Sequence, residues 1–204
     1  MKKTVILLLI FIVFPLLGLA QSIENVDFIS PIHNDVSAIK KDGKWAFMNK
    51  SGDLIIDYRT DLVVEQNEDG AYPIFYNDRC KIVEVKAGIS YFGFINKSGE
   101  TIIEPQFLNT TNFKEGIAIA LKVDKKVIGE NTALGKEMVN YRYFEVLINT
   151  EGEALYYLTL DGVNVVLDKD FLTGVPHIMS KYIAKDLYAV KQKDNTWTLV
   201  KVKM

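Results

Sequence analysis

Apolar and polar residues alternate along much of the chain with a period of two. In Ile117–Val123, the residues Ile117, Ile119, Leu121 and Val123 fall on one face. In Tyr141–Ile148, Tyr141, Tyr143, Glu145 and Leu147 face one way, and Arg142, Phe144, Val146 and Ile148 the other. This period predicts strands, and apolar residues on both faces of the second segment predict a central one. Further strands are predicted at Val36–Lys40, Lys44–Met48 and Asp53–Asp57. Asp42-Gly43 joins the first two as a tight hairpin. Asn49–Gly52 joins the next pair, because its Asn can bond its own backbone and its Gly can take a left-handed conformation. The polar stretch 127–140 predicts a protruding loop with a helical turn at Thr132 to Met138, and 170–186, with Gly174 and Pro176, a linker. After the first twenty residues no long helix is predicted, so the fold class is all-β.

The same pattern recurs. Sliding the chain by 47 residues sets Trp45 on Phe92, Phe47 on Phe94, Asn49–Gly52 on Asn96–Gly99, and Ile55-Ile56 on Ile102-Ile103. A third copy of the turn reads Asn-Thr-Glu-Gly at Asn149–Gly152. A fourth segment, Ala189–Val202, aligns with Ala38–Lys50 if one residue is inserted, which sets Trp197 on Trp45. Recurrence of this kind is the signature of a repeat architecture. The units lie at about 36–63, 82–116, 117–160 and 188–204. Each reads as an antiparallel β-meander, and the tandem meanders are expected to stack in a solenoid-like array or an incomplete propeller-like arc. Trp45, Phe47, Phe92, Phe94 and Trp197 are the expected core anchors, with Gly52, Gly93, Gly99 and Gly116 as structural glycines.

Residues 1–20 have the form of an export signal. Lys2 and Lys3 precede an apolar run, Val5 to Leu17, broken only by Pro15, and Gly18 and Ala20 supply small residues before Gln21. That run is shorter than the roughly 20 residues a spanning helix needs. The expectation is cleavage before Gln21, no membrane span thereafter, no lipid attachment, and a periplasmic, cell-surface or extracellular location. Residues 21–204 then form a single domain. The whole chain has 24 basic and 26 acidic residues. With no basic stripe visible, nucleic acid is not an expected partner. Cys80 is the only cysteine, so no disulfide forms within the chain, and its place at the start of an apolar run predicts a buried thiol.

Few residues offer chemistry. His33 and His177 sit in loop-like contexts with no neighbouring ligands at metal spacing. No nucleophile elbow or Cys-His signature occurs. The acidic stretches Glu65–Gly70 and Asp168–Asp170 lack the alternation of a calcium loop and read as solvated turns. The sequons at Asn49, Asn96 and Asn109 need no explanation beyond turns. No cofactor and no catalytic residue is expected. Aromatic side chains are the feature with binding potential: Tyr72, Phe75, Tyr76, Tyr156 and Tyr157 lie outside the repeat anchors and could stack on sugars or seat a peptide.

The segment FINKSGETIIEPQFLNTTNFKEGIAIALK resembles the WG repeat of bacterial secreted proteins. Gly93, Phe94, Ile95, Gly99, Ile102, Ile103, Pro105, Phe107, Phe113, Glu115, Gly116 and Ala118 fit its pattern. The match is good across about 82 to 122 and fair across 36 to 58. The Trp-Gly dipeptide itself is not intact, reading Trp45-Ala46, Phe92-Gly93 and Trp197-Thr198. The resemblance implies a β-repeat scaffold without shared catalytic residues. The expected function is binding of a protein or cell-envelope partner by an exported non-enzymatic scaffold, with a carbohydrate-binding module using exposed tyrosines as the alternative and an enzyme with an unrecognised site as a third.

Overall fold

The computed structural model describes residues 23–131 and 135–203, so the expected signal at 1–20 lies outside the described residues. The described chain is all-β and antiparallel. The first sheet is β1 (Phe28–Ile29), β2 (Val36–Lys41), β3 (Lys44–Asn49) and β4 (Leu54–Arg59), in that order. A small hairpin, β5 (Glu65–Asn67) and β6 (Gly70–Tyr72), follows. The second sheet has β7 (Phe75–Tyr76), β8 (Arg79–Lys86), β9 (Ile89–Ile95) and β10 (Thr101–Phe107). In the third, β11 (Ala118–Asn131) pairs β12 (Lys136–Ile148), which also pairs β13 (Ala154–Tyr157) and β14 (Val163–Val165). The fourth holds β15 (Lys181–Ala184), β16 (Leu187–Lys191) and β17 (Trp197–Lys201).

The meander repeats because its second turn repeats. Asn49 Oδ1 accepts from the Ser51 and Asp53 amides, both at 2.9 Å, while its Nδ2 donates to Asp53 Oδ2 at 3.0 Å. Asn96 makes the same set with Ser98 and Glu100, and Asn149 with Glu151 and Glu153. The acidic residue four positions after the Asn is thus part of the motif. Gly52, Gly99 and Gly152 sit at φ of 85°, 82° and 85°, the left-handed region that penalises a β-carbon.

Why the Ile-Ile pair travels with this turn follows from packing between units. A β-carbon on Gly99 would lie 3.4 Å from Ile56, and one on Gly152 would lie 3.0 Å from Ile103. The turn of the second unit and that of the third therefore each rest on the second Ile of the unit before. Arginines tie the same junctions: Arg59 Nη1 donates to the Gly99 carbonyl at 3.2 Å, and Arg79 Nε to the Thr150 carbonyl at 2.8 Å. At Gly52, in the first unit, a β-carbon would meet nothing within 4 Å.

Three core clusters lie between successive sheets. Trp45, Phe47 and Ile56 of the first sheet pack with Cys80, Ile82 and Ile95 of the second. Phe94, Ile103 and Phe107 of the second pack with Ala118, Ala120, Val146 and Ile148 of the third. Ile119 and Leu147 of the third pack with Tyr188 and Val190 of the fourth. The expected alternation in β11 and β12 is what divides these residues between two neighbours. Cys80 is fully buried, and burial pushes its thiol well above its ordinary range.

Two expectations need correction. The stretch 127–140 is not a loop with a helical turn. Strands β11 and β12 continue through it as a two-stranded ribbon, pairing Val127 with Val139 and Glu130 with Glu137. Lys136–Met138 are strand, while residues 132–134 of the expected turn lie outside the described residues. Backbone pairing and β-branched residues carry the ribbon outward without a core beneath it.

Trp197 is not a core anchor: it is 44% exposed. The sequence alignment set the wrong turns together. Asp186 (φ 60°) turns the chain where Asp42-Gly43 does in the first unit. Gln192 N donates to Thr196 O at 2.9 Å and Asn195 N to Gln192 O at 3.1 Å, matching Asn49 N to Asp53 O at 2.9 Å and Gly52 N to Asn49 O at 3.1 Å. Counted back from this turn, buried Tyr188 and Val190 take the places of Trp45 and Phe47, and Trp197 opens the third strand.

Candidate functional site

The expected aromatic row does not assemble. Tyr72 and Phe75 are each 1% exposed and belong to the first core cluster, where Phe75 packs edge-on against Phe47 at 4.8 Å. The β5–β6 hairpin folds back over the first sheet and so turns these apparent insertion residues inward. Tyr76 is half-buried against the second cluster. Tyr156 and Tyr157 are exposed, but as consecutive strand residues they project to opposite faces. Tyr157 packs edge-on to Phe144, with Lys122 Nζ 5.8 Å from its ring.

His33 is the one histidine with a tight partner: its Nε2 lies 3.0 Å from the Tyr72 hydroxyl and 4.0 Å from Asp69 Oδ2. The space beside this trio is only about 10 Å³, lined by Ser30, Val36, Phe47 and Phe75 among others. That is room for a single water. Among the described residues, no three or more His, Cys, Asp or Glu side chains gather as a metal site would require.

Open apolar space lies instead beside the third sheet. A cleft of about 370 Å³ has Tyr143, Val163 and Val165 as its floor and Phe171, Leu172 and Pro176 as its wall. The wall is the segment after β14. Its first turn is held by Phe171 N and Leu172 N donating to the Asp168 carbonyl at 3.1 and 2.8 Å, and Asn109 Nδ2 fixes the Pro176 carbonyl at 2.7 Å. Leu167, Leu172 and Ile178 point into a fourth cluster with Ile89, Leu108 and Leu121. Phe171 is left outside at 74% exposure, and Val163 and Val166 beside it are also exposed. A second cleft of about 220 Å³ lies where the segment meets the β8–β9 turn, between Gly88, Ile89, Lys169 and Leu172.

One carboxylate positions this segment. Glu145 occupies the repeat position of Trp45, Phe92 and Tyr188 and is buried like them. Its Oε1 accepts from Met179 N at 2.6 Å and its Oε2 from Ser180 N at 2.9 Å. A buried carboxylate needs such partners, and here they fasten the cleft wall to β12 just before the fourth sheet. Sequence alternation placed Glu145 on the Leu147 face but gave no hint of its partners. Phe171 was hidden inside an expected linker. A lone Phe next to Leu in a Gly- and Pro-containing stretch carries no signal of which side chain turns outward.

The comparisons with known proteins accord with this architecture. The family model described as "WG containing repeat" matches residues 25–45 and 92–126, which take in β1 and β2 with the start of β3, then the end of β9, all of β10 and much of β11. No curated protein and no solved structure matches the chain. These two matched segments, with the Asn-turns of the second and third units seated on the second Ile of the unit before, show repeats of the WG type in the chain.

Proposed function

We propose that the chain is an exported, non-enzymatic β-repeat scaffold that binds a protein or cell-envelope partner through the cleft beside the third sheet. The observation that carries this is Phe171, 74% exposed on a segment anchored by Glu145 and Asn109, above a cleft of about 370 Å³. An exposed aromatic on a fastened backbone offers contact area at little further ordering cost, the hallmark of an interface anchor. A non-enzymatic role is supported by the packing around His33 and Tyr72, which leaves no space for a substrate at the one histidine-centred cluster. The tyrosine-row alternative loses its support with Tyr72 and Phe75 buried. Export rests on the form of residues 1–20.

The test is affinity capture from cell-envelope extract with the mature chain starting at Gln21. One saturable partner is expected, with Phe171→Ser weakening its capture by about tenfold or more, as for loss of an interface anchor. Phe171→Ser should unfold at the wild-type temperature. Equal capture by both proteins would sink the cleft as the binding site. A cytosolic protein retaining Met1 would end the export proposal.

A further inference from the structure

The outer face of the fourth sheet sets an exposed tryptophan beneath two lysines. Tyr188 and Val190 point inward to the third sheet, so Leu187, Ala189 and Lys191 face out, with their partners Lys201, Leu199 and Trp197. Lys181, paired with Ala189, lies on the same face. Lys181 Nζ and Lys191 Nζ each stand 4.9 Å from the centre of the Trp197 ring. Leu199, the next outward residue on β17, is 66% exposed and pairs with the small, buried Ala189 on β16. None of Lys181, Lys191 and Lys201 has a carboxylate within ion-pair distance among the described residues. The nearby Asp194 carboxylate is engaged by the Thr196 amide at 3.0 Å and hydroxyl at 2.6 Å. Residues 181–204 carry six lysines against two aspartates in a chain that is acidic overall.

We infer that this face binds an acidic glycan. The ring of Trp197 is the platform for the C–H face of a sugar, and the flanking ammonium groups of Lys181 and Lys191 pair with its carboxylate or sulfate groups. Indole supplies a flat apolar surface with a polar edge, and the two lysines over it, which have no carboxylate within ion-pair distance among the described residues, supply charge complementarity. A second copy of the chain is a poor occupant, because stacking two such faces would set lysines against lysines. An extended acidic peptide would gain most from the open edge of β17 by strand addition, where the Trp197 ring contributes nothing. The inference rests on the proposed export to the envelope and adds to the cleft a second, separate binding face.

The test titrates the mature chain with two acidic glycans of different backbone, oligogalacturonate and chondroitin sulfate, and with the methyl ester of the first. At least one acidic glycan should bind, more weakly as salt is raised, and oligogalacturonate, if bound, should lose about tenfold on esterification. Trp197→Ala should lose about tenfold or more, Trp197→Phe should recover most of it, and Lys191→Gln should lose about threefold. Trp197→Ala is expected to melt with the wild type, since its ring belongs to none of the core clusters. Binding by neither glycan, equal binding of acid and ester, indifference to Trp197→Ala, or equal competition by poly-glutamate would each overturn the inference. Phe171→Ser should leave glycan binding unchanged. Loss of glycan binding with envelope capture intact therefore sinks only this inference, and the reverse sinks only the cleft.

Discussion

The two tryptophans stand at different places in the repeat, Trp45 in the second strand of its unit and Trp197 at the start of the third, and at opposite places in the protein. Trp45 is buried between the first and second sheets, against Phe28 at 5.7 Å, and helps hold two units together. Trp197 lies on the outside of the fourth sheet between two lysines. The difference comes from that change of strand and from how the sheets are stacked. From the first unit to the third, the anchor face of each sheet covers the opposite face of the next. Between the third and fourth, two anchor faces meet, Leu147 against Tyr188 and Val190, and the fourth sheet turns its other face to solvent. One repeat can therefore serve two ends: inward anchors build the stack, and reversal of one unit exposes a face for contact.

The largest expected effect separates the two rings. Trp45→Ala should destabilise by about 3–5 kcal/mol, the range for emptying a large buried aromatic site. Trp197→Ala should cost within about 0.5 kcal/mol, as for an exposed residue away from caps and cores. Denaturant titration decides it. Equal losses would mean that both rings, or neither, hold the fold.

Next in size is the junction of the third and fourth units. Glu145→Ala leaves the Met179 and Ser180 amides without their acceptor, at about 1–3 kcal/mol for each buried donor that water cannot reach. Glu145→Gln keeps one acceptor oxygen and should lose less. Hydrogen exchange at Met179 and Ser180 should accelerate in Glu145→Ala while the first two sheets stay protected. Uniform acceleration throughout would show that Glu145 supports the whole stack rather than this junction.

The shared turn offers a graded comparison. Alanine at Gly52, Gly99 or Gly152 pays for a left-handed conformation, about 1–2 kcal/mol. At Gly152 the new carbon also meets Ile103 at 3.0 Å, at Gly99 it meets Ile56 at 3.4 Å, and at Gly52 it meets nothing. The expected order of loss is Gly152→Ala, then Gly99→Ala, then Gly52→Ala. Three equal losses would mean that the turn acts only within its own unit. Gly93 is a different case, since its β-carbon would fall 2.2 Å from the Ile103 carbonyl oxygen. There the second residue of the repeat dipeptide makes room for the irregular backbone of the paired strand β10, whereas the first unit has Ala46 in its place.

Much of the fold was legible because it is local. Period-two alternation in β11 and β12, and the Asn and Gly of the repeated turn, are properties of neighbouring residues. What escaped the sequence depends on distant contacts. Tyr72 and Phe75 read as surface residues because nothing nearby says that β5–β6 folds back over the first sheet. The fourth unit misled because Gln192 and Asn195 stand where other units have Asn and Gly, leaving Trp197 as the most conspicuous residue to align. The cleft was the least legible part, since the outward turn of Phe171 is set by Leu172 finding a place in a core more than fifty residues away along the chain.

The smallest effect tests whether the charged residue of the turn belongs to the architecture. Lys97 Nζ lies 2.7 Å from Asp78 Oδ1, and Lys50 Nζ lies 2.6 Å from Asp35 Oδ1. Each lysine follows the turn Asn, and each aspartate ends an Asn-Asp turn that opens a unit, with positive φ at Asn34, Asp35, Asn77 and Asp78. The pair therefore links the start of a meander to its second turn, and it recurs in the first two units. Both aspartates are in water, where an ion pair contributes little once the ordering of a long side chain is counted. Lys97→Ala should shift stability by less than about 0.5 kcal/mol. Lys50→Ala, more exposed still, should leave the unfolding midpoint unmoved at 0.5 M salt. A loss at Lys97 that rivals Gly99→Ala, and that persists in high salt, would make the pair a true clamp between turn and strand. It would also place the lysine shared by the first two turns among the residues that build the stack rather than those that merely solvate it.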